Sequence, residues 1–266
     1  GDGLMVHSSL SAFGHLEGGA RAALDALMAA VGPEGTLVLP SFNHGAPFRP
    51  GAPGYYHPGE TPTTNGAIPD AFWRLPGVRR SLNPTHAFAA WGARAEAYTA
   101  LHHRTLTMGA DSPLGLLARD GGYCLLMGVG YRVNSSHHVA ETLAAAPCLG
   151  RRTEAYPVRL PDGRRVMGRT WGWRSARCPI TDGQRYPEVI RARGLERTAR
   201  VGEAPLTLFR LADGLAIVGE MLASGVGEFP PCARCPIRPR ESEYTVPSDW
   251  DDATSTLRPD AEALRY

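Results

Sequence analysis

The segment that most restricts this chain runs from residue 123 to residue 141. Tyr123-Cys124-Leu125-Leu126-Met127 is a short apolar run of the kind that forms a buried strand, and Gly128-Val129-Gly130 then opens a turn. Asn134, Ser135 and Ser136 offer N-cap chemistry, and an alanine-rich helix is predicted from there to about Ala146. Core strand, glycine turn and helix in that order belong to an open α/β fold, which places its chemistry at the carboxyl ends of strands. His137 and His138 fall in the first helical turn. His138 and Glu141, three residues apart, share a helix face. An imidazole with a carboxylate to orient it is a candidate general base, although the spacing alone fits a satisfied polar surface equally well.

A second segment repeats the form. Met5-Val6 leads into His7-Ser8-Ser9-Leu10-Ser11, and Gly14 follows. Apolar positions at Ala20, Leu24, Leu27, Met28 and Val31 then mark an amphipathic helix. Gly32-Pro33-Glu34-Gly35 stops it and residues 36–40 read as a buried strand, so a parallel pair is predicted. Residues 42–66, rich in Gly, Pro, Asn, His and Tyr, make a loop long enough to imply binding. Short helices are expected over 68–75, over 93–102 and from Pro113, with a strand over 87–92.

Beyond Pro147 the character changes. Residues 151–177 hold eight arginines, two strand-like runs and a hairpin signal at Pro161-Asp162-Gly163. A helix over 186–193, a strand over 201–209 and a helix over 212–223 come next, and the chain from Gly225 is proline-rich. The predicted fold is α/β, a central mixed sheet flanked by helices with a smaller strand-containing second lobe. It forms one domain over 1–266, with lobes at about 1–150 and 151–228 and an irregular tail over 229–266.

Composition narrows the function classes. At 266 residues and 43% hydrophobic content the chain can bury a sizeable core. A net charge of +2, without basic runs, gives no footprint for nucleic acid or a membrane surface. All 28 basic residues are Arg, which removes any Schiff-base lysine. No membrane-span-length apolar stretch or signal peptide is visible, and five cysteines spread along the chain suit a reducing compartment, so a cytoplasmic location is expected. The start at Gly1-Asp2-Gly3, without Met, suggests a trimmed terminus.

Rival chemistries are weaker. Cys232-Ala233-Arg234-Cys235 is half of a tetrahedral metal site and reads better as a buried tail turn, so no metal is expected. Cys124 and Cys148 lack the electropositive helix start that activates a thiol, which disfavours a cysteine nucleophile. Gly128-x-Gly130 lacks the third glycine of a dinucleotide fingerprint.

A set of blocks stands in order along the chain. They are Val6-His7-Ser8-Ser9-Leu10-Ser11, Val31-Gly32-Pro33-Glu34-Gly35-Thr36-Leu37-Val38-Leu39-Pro40 and Thr61-Pro62-Thr63-Thr64-Asn65-Gly66. Phe88-Ala89-Ala90-Trp91-Gly92, Ser112-Pro113-Leu114-Gly115-Leu116-Leu117 and the segment from Gly128 to Glu141 continue the series. With them the sequence resembles the aminoglycoside 3-N-acetyltransferase family of antibiotic acetyltransferases.

The resemblance implies a fold distinct from the common GNAT-type acetyltransferase and acetyl-CoA as co-substrate. The implied acceptor is a small-molecule amine, by default the 3-amino group of a 2-deoxystreptamine aminoglycoside. The family's catalytic His falls on His138 and its partner carboxylate on Glu141. Ser8, Ser9, Leu10, Ser11, Ser112, Gly128, Val129, Gly130, Asn134, Ser135 and Ser136 fall along the crevice for acetyl-CoA. Neither nucleic acid nor membrane is an expected partner, and a homodimer is allowed.

Two departures matter. Asn83-Pro84 stands where many family members have His-Pro, so the role of that His is lost or passes to His86. The segment from Gly168 to Arg177 is basic and Trp-bearing where acidic residues are usual, which suits a polycation poorly and keeps a non-aminoglycoside amine as the alternative acceptor. Glu60, Asp70, Asp111 and Glu154 are the residues available for an acidic pocket. Retention of both His138 and Glu141 argues against a catalytically silent CoA-binding relative.

Overall fold

The structure, a computed structural model, describes residues 1–172, 174–183 and 185–239; the side chains of 150–154, 169, 171 and 172 lie outside that description. The first half contains β1 (Gly3–Ser8), α1 (Gly19–Val31), β2 (Thr36–Phe42), α2 (Ala67–Trp73), β3 (Arg79–Arg80) and β4 (His86–Gly92). It continues through α3 (Ala95–Thr99), α4 (Pro113–Arg119), β5 (Tyr123–Met127) and α5 (His137–Leu143). The second half contains β6 (Gly150–Arg159), β7 (Arg165–Gly172), α6 (Tyr186–Ala192), β8 (Glu196–Val201), β9 (Ala204–Arg210) and α7 (Leu211–Ser224).

Seven strands make one mixed sheet in the order β3-β4-β2-β1-β5-β9-β8. β1 pairs in parallel with both β2 and β5, as the strand-helix-strand reading predicts. β4 and β9 run antiparallel to their neighbours. Alternation along each strand feeds two cores. Met5, Val38, Phe88, Cys124 and Leu126 face α4, α5, α6 and α7, whereas Val6, Leu37, Leu39, Ala89 and Met127 face α1 and α2. Burial on both faces explains why these strands read as continuous apolar runs. α1 ends where Gly32, at φ +70°, turns its N–H back onto the Met28 carbonyl at 3.0 Å.

Two elements differ from the sequence expectation. The strand expected over 201–209 is a hairpin, β8 and β9, turning at Gly202-Glu203 with Gly202 at φ +55°. It completes the central sheet beside β5 instead of joining the smaller lobe. The helix carrying His138 stops at Leu143, and Ala145 takes a positive φ of 48°.

The smaller lobe is the two-stranded β6–β7 sheet. The long loop holds it: the Tyr56 N–H donates to the Pro157 carbonyl at 2.9 Å, and the Arg159 N–H donates to the Tyr56 carbonyl at 2.8 Å. Phe48, Tyr56, Tyr156, Val158 and Val166 bury a separate apolar cluster beneath this contact. Much of the composition that reads as a ligand loop therefore anchors the hairpin.

Candidate active site

β1 ends at Ser8, β2 at Phe42 and β5 at Met127, while the antiparallel β4 begins at His86 opposite Phe42. These carboxyl ends form one edge, where open α/β sheets bind ligands. The Ser9 N–H donates to the Met127 carbonyl at 3.0 Å and draws the two strand-to-helix turns together. Gly128 permits that approach: at φ +69°, a Cβ there would lie 2.5 Å from the Ala12 Cβ and 3.0 Å from the Ser9 oxygen.

The start of α5 is fixed by side chains from elsewhere. His7 Nε2 accepts the Ser135 N–H at 3.2 Å, so its proton sits on Nδ1, and burial pushes the pKa of His7 down to about 3. Asn134 Oδ1 accepts the Ser136 N–H at 3.0 Å and the Ser136 hydroxyl at 2.8 Å. Ser136 occupies the N-cap position, but its hydroxyl makes no capping bond; Asn134 organises the turn instead. The Asn134 amide donates onward to the Tyr186 hydroxyl at 3.1 Å.

His138 Nδ1 meets Glu141 Oε2 at 2.8 Å, the pairing that their spacing predicts. The same oxygen accepts from Arg174 Nη1 at 2.7 Å, and Glu141 Oε1 accepts the Thr181 hydroxyl. Arg174 is held in turn by Asp182 Oδ2, at 3.0 Å from Nε and 2.8 Å from Nη2, and that oxygen also accepts the Cys178 N–H at 2.7 Å. Glu141 and Arg174 side chains are each 1% exposed, so each charge depends on its partners. Burial alone would raise the Glu141 pKa, but His138 and Arg174 outweigh it and hold the carboxyl well below the usual carboxylate range. Burial alone would lower Arg174; Glu141 and Asp182 reverse this and keep it charged. An ionised Glu141 can only accept, so His138 keeps its proton on Nδ1 and donates it in this hydrogen bond, which puts the basic lone pair on Nε2.

The sequence does not reveal Arg174, Thr181 or Asp182 as part of this group. They lie 33 to 41 positions beyond Glu141 in a segment whose plain reading is a basic wall. Arg174 is buried and ion-paired to the carboxylates of Glu141 and Asp182, unlike a residue of such a wall.

Ser8, Ser9, Leu10 and Ser11 line an open cleft of about 570 Å³ together with Gly14, His15, Leu16, Gly19, Gly66 and Ala67. Gly130 borders open space, and Val129 packs on the core. Ser112 is not among the residues that line this cleft. It is fully buried as the N-cap of α4, accepting the Gly115 N–H at 3.2 Å and donating to the Gly109 carbonyl at 2.7 Å. Nor do the acidic candidates converge through the contacts they make. Glu60 sits 3.7 Å from His57, Asp70 pairs with Arg74 at 3.1 Å, and Asp111 faces Arg119 at 3.7 Å. The side chains of Glu154, Arg169 and Trp171, and all of Trp173, lie outside the described residues.

All five cysteines are buried and free. Burial pushes the Cys148 thiol up to about 11 and Cys232 to about 12, and lifts Cys124 further, an environment that suppresses thiolate chemistry. Cys148, Cys178, Cys232 and Cys235 share a small cavity behind Glu141. Among the described residues no group of three or more His, Cys, Asp or Glu side chains is arranged to hold a metal ion, and no helix is long and apolar enough to cross a membrane.

The family model for aminoglycoside 3-N-acetyltransferase matches residues 5–223. Over 240 residues the chain is 35% identical to aminoglycoside N(3)-acetyltransferase VII of Streptomyces paromomycinus, covering 80% of this chain and 82% of that protein. The structure superposes on the crystal structure of YokD from Bacillus subtilis with a TM-score of 0.73 at 28% identity, covering 85% of this chain and 88% of that one. It superposes on AAC-IIIb, solved as a binary complex with CoASH, with a TM-score of 0.72 at 27% identity, covering 87% and 93%. The span matched by the family model includes every residue from Ser8 to Asp182 that builds the edge described above. The chain belongs to the aminoglycoside 3-N-acetyltransferase family and is an acyltransferase.

Proposed function

We propose that this protein transfers the acetyl group of acetyl-CoA directly to the 3-amino group of a 2-deoxystreptamine aminoglycoside, with His138 as general base. The observation that carries the reading is the buried array of His138, Glu141 and Arg174. Nε2 of His138 takes a proton from the acceptor amine as its nitrogen attacks the thioester carbonyl carbon. The carbon–sulfur bond breaks, CoA leaves as the thiolate, and the His138 imidazolium returns its proton to give the thiol and the neutral base. Glu141 stabilises the imidazolium that forms, while Arg174 and Thr181 keep Glu141 ionised and aligned. The hydroxyl-lined cleft at Ser8 to Ser11 suits the donor's polar arm, and the CoASH complex of AAC-IIIb supports acetyl-CoA as that donor. With its charge matched by Glu141 and Asp182, Arg174 adds little repulsion toward a polycation. Five unpaired cysteines support a cytoplasmic location.

The test is thiol release from acetyl-CoA with aminoglycosides compared against neutral and anionic amines. Turnover of the aminoglycosides, with Michaelis constants that rise with salt, is expected. Turnover of only non-cationic amines would remove the aminoglycoside while keeping acetyl transfer. No thiol release with any amine would remove both.

A further inference from the structure

His7 is an imidazole set into a core strand. β1 carries it between Val6 and Ser8, in register with Leu126 of β5, and it is 4% exposed. A polar ring taken out of water is costly unless its nitrogens are used. Nε2 is used: it accepts the Ser135 N–H at 3.2 Å, across 128 positions of sequence. A backbone N–H can only donate, so the ring's lone pair is on Nε2 and its proton on Nδ1. Burial keeps the ring uncharged, as an acceptor must be.

Through Ser135 that bond reaches His138. The Ser135 N–H is held by His7, and the Ser135 carbonyl accepts the His138 N–H at 3.2 Å. The next N–H, of Ser136, goes to Asn134 at 3.0 Å, and the Ser136 carbonyl accepts the Val139 N–H at 2.9 Å. Asn134 therefore shapes the turn from within, whereas His7 ties it to another strand. α5 is seven residues long, too short to be stable on propensity alone, so tethers of this kind decide where its first turn stands.

The same stretch of β1 leads into the cleft assigned above to the donor. Ser8 and Ser9 follow His7 directly and line that cleft with Leu10 and Ser11. The Ser9 N–H bonds to the Met127 carbonyl at 3.0 Å, where β5 ends. One strand end therefore supplies a wall of the cleft and, through His7, holds the start of the helix that carries His138. Distances between these two parts matter, because a misplacement of about 1 Å between reacting groups can cost about 10²-fold in rate.

We propose that His7 is a positioning residue of acetyl transfer: acting through Ser135, it sets where His138 stands relative to the acetyl-CoA cleft. Its tether runs from a strand clamped in the central sheet to the first turn of a short helix, so the base inherits the rigidity of β1. The inference rests on the reading of His138 as the base.

The experiment compares the full chain with His7→Leu and His7→Gln, each alone and combined with His138→Ala. His7→Leu fills similar space without an acceptor and should lower kcat about 10- to 100-fold, with the KM for acetyl-CoA within about twofold of the parent. His7→Gln, whose Oε1 can accept the Ser135 N–H, should recover part of the loss. Added to His138→Ala, His7→Leu should cost less than about twofold more, because a residue that acts through the base then has nothing left to position. An equal loss in both backgrounds would make His7 structural only and overturn the proposal, and so would a His7→Leu kcat within about twofold of the parent. Should His7→Leu not fold, His7→Asn, whose amide stops short of Ser135, takes its place in the same comparison. Nitrogen NMR of histidine-labelled parent that put the His7 proton on Nε2 would also overturn it. Full activity in His138→Ala would instead strike at the reading of His138 as the base.

Discussion

Two buried polar arrays meet the same edge of the sheet, and they are built on opposite principles. The array behind His138 is ionic: Glu141 lies between a histidine, an arginine and a threonine hydroxyl, and Asp182 closes it. The array behind His86 runs from the Asn83 amide through the hydroxyls of Thr107, Thr170 and Thr85 to the imidazole, without a formal charge. The ionic one keeps a carboxylate ionised out of water, as stabilising a transient imidazolium requires. The uncharged one carries no charge to compensate and is built from hydroxyls, each of which can both donate and accept. His138 therefore lies against a buried carboxylate, and His86 against a buried hydroxyl.

The contrast is sharpest in activity. If His138 is the base, as proposed, His138→Ala should lower the rate about 10²- to 10⁴-fold in the thiol-release assay. Glu141→Gln should cost somewhat less, because the ring keeps an oriented partner but loses the charge that stabilises its protonated form. A loss of less than tenfold in His138→Ala would move the base elsewhere.

Stability should separate the arrays next. Arg174→Leu leaves Glu141 and Asp182 buried without their cation and should destabilise the fold by about 3–5 kcal/mol in denaturant unfolding. Thr107→Val leaves the Asn83 amide and the Thr170 hydroxyl short of one partner and should cost about 1–3 kcal/mol. Equal losses would mean that the ionic array is no more dependent on its partners than the hydroxyl chain.

The ionic array should also respond to acid. The folded-state pKa of Glu141 lies below its ordinary value of 4.5, so its contribution is fully present above that value and is lost as pH falls toward the folded value. The stability gap between the parent and Glu141→Gln should therefore be flat near neutrality and narrow below about pH 4.5. No such narrowing is expected between the parent and Thr107→Val, whose chain carries no carboxylate.

Legibility in the sequence follows the same division. Local periodicity shows the strands and helices that bring His138 and Glu141 together, because both lie on one short helix and their contact depends only on spacing. It shows the parallel β1–β2 pair and the β6–β7 hairpin for the same reason. Long-range partners leave no such trace. Arg174 looks like one more arginine among eight until the fold carries it beneath α5, and Thr170 is a strand residue whose hydroxyl matters only after the hairpin docks on Tyr56. The β8–β9 turn leaves little trace in the sequence, because Val201 and the run after Ala204 merge into one apolar stretch across Gly202-Glu203.

The smallest expected effect concerns Ser112, which the family resemblance places along the acetyl-CoA crevice. Its hydroxyl is already used in both directions, as acceptor from Gly115 and as donor to Gly109. Pro113 follows at the first helical position, where no N–H is needed, so the serine satisfies one of the few donors left open at the start of α4. Ser112→Ala should cost about 1 kcal/mol, the usual loss for removing an N-cap, seen as a lower midpoint in denaturant unfolding. Because the group is fully buried, the KM for acetyl-CoA should not move. A raised KM with unchanged stability would put Ser112 on the donor's path after all, and would mean that α4 shifts when acetyl-CoA binds.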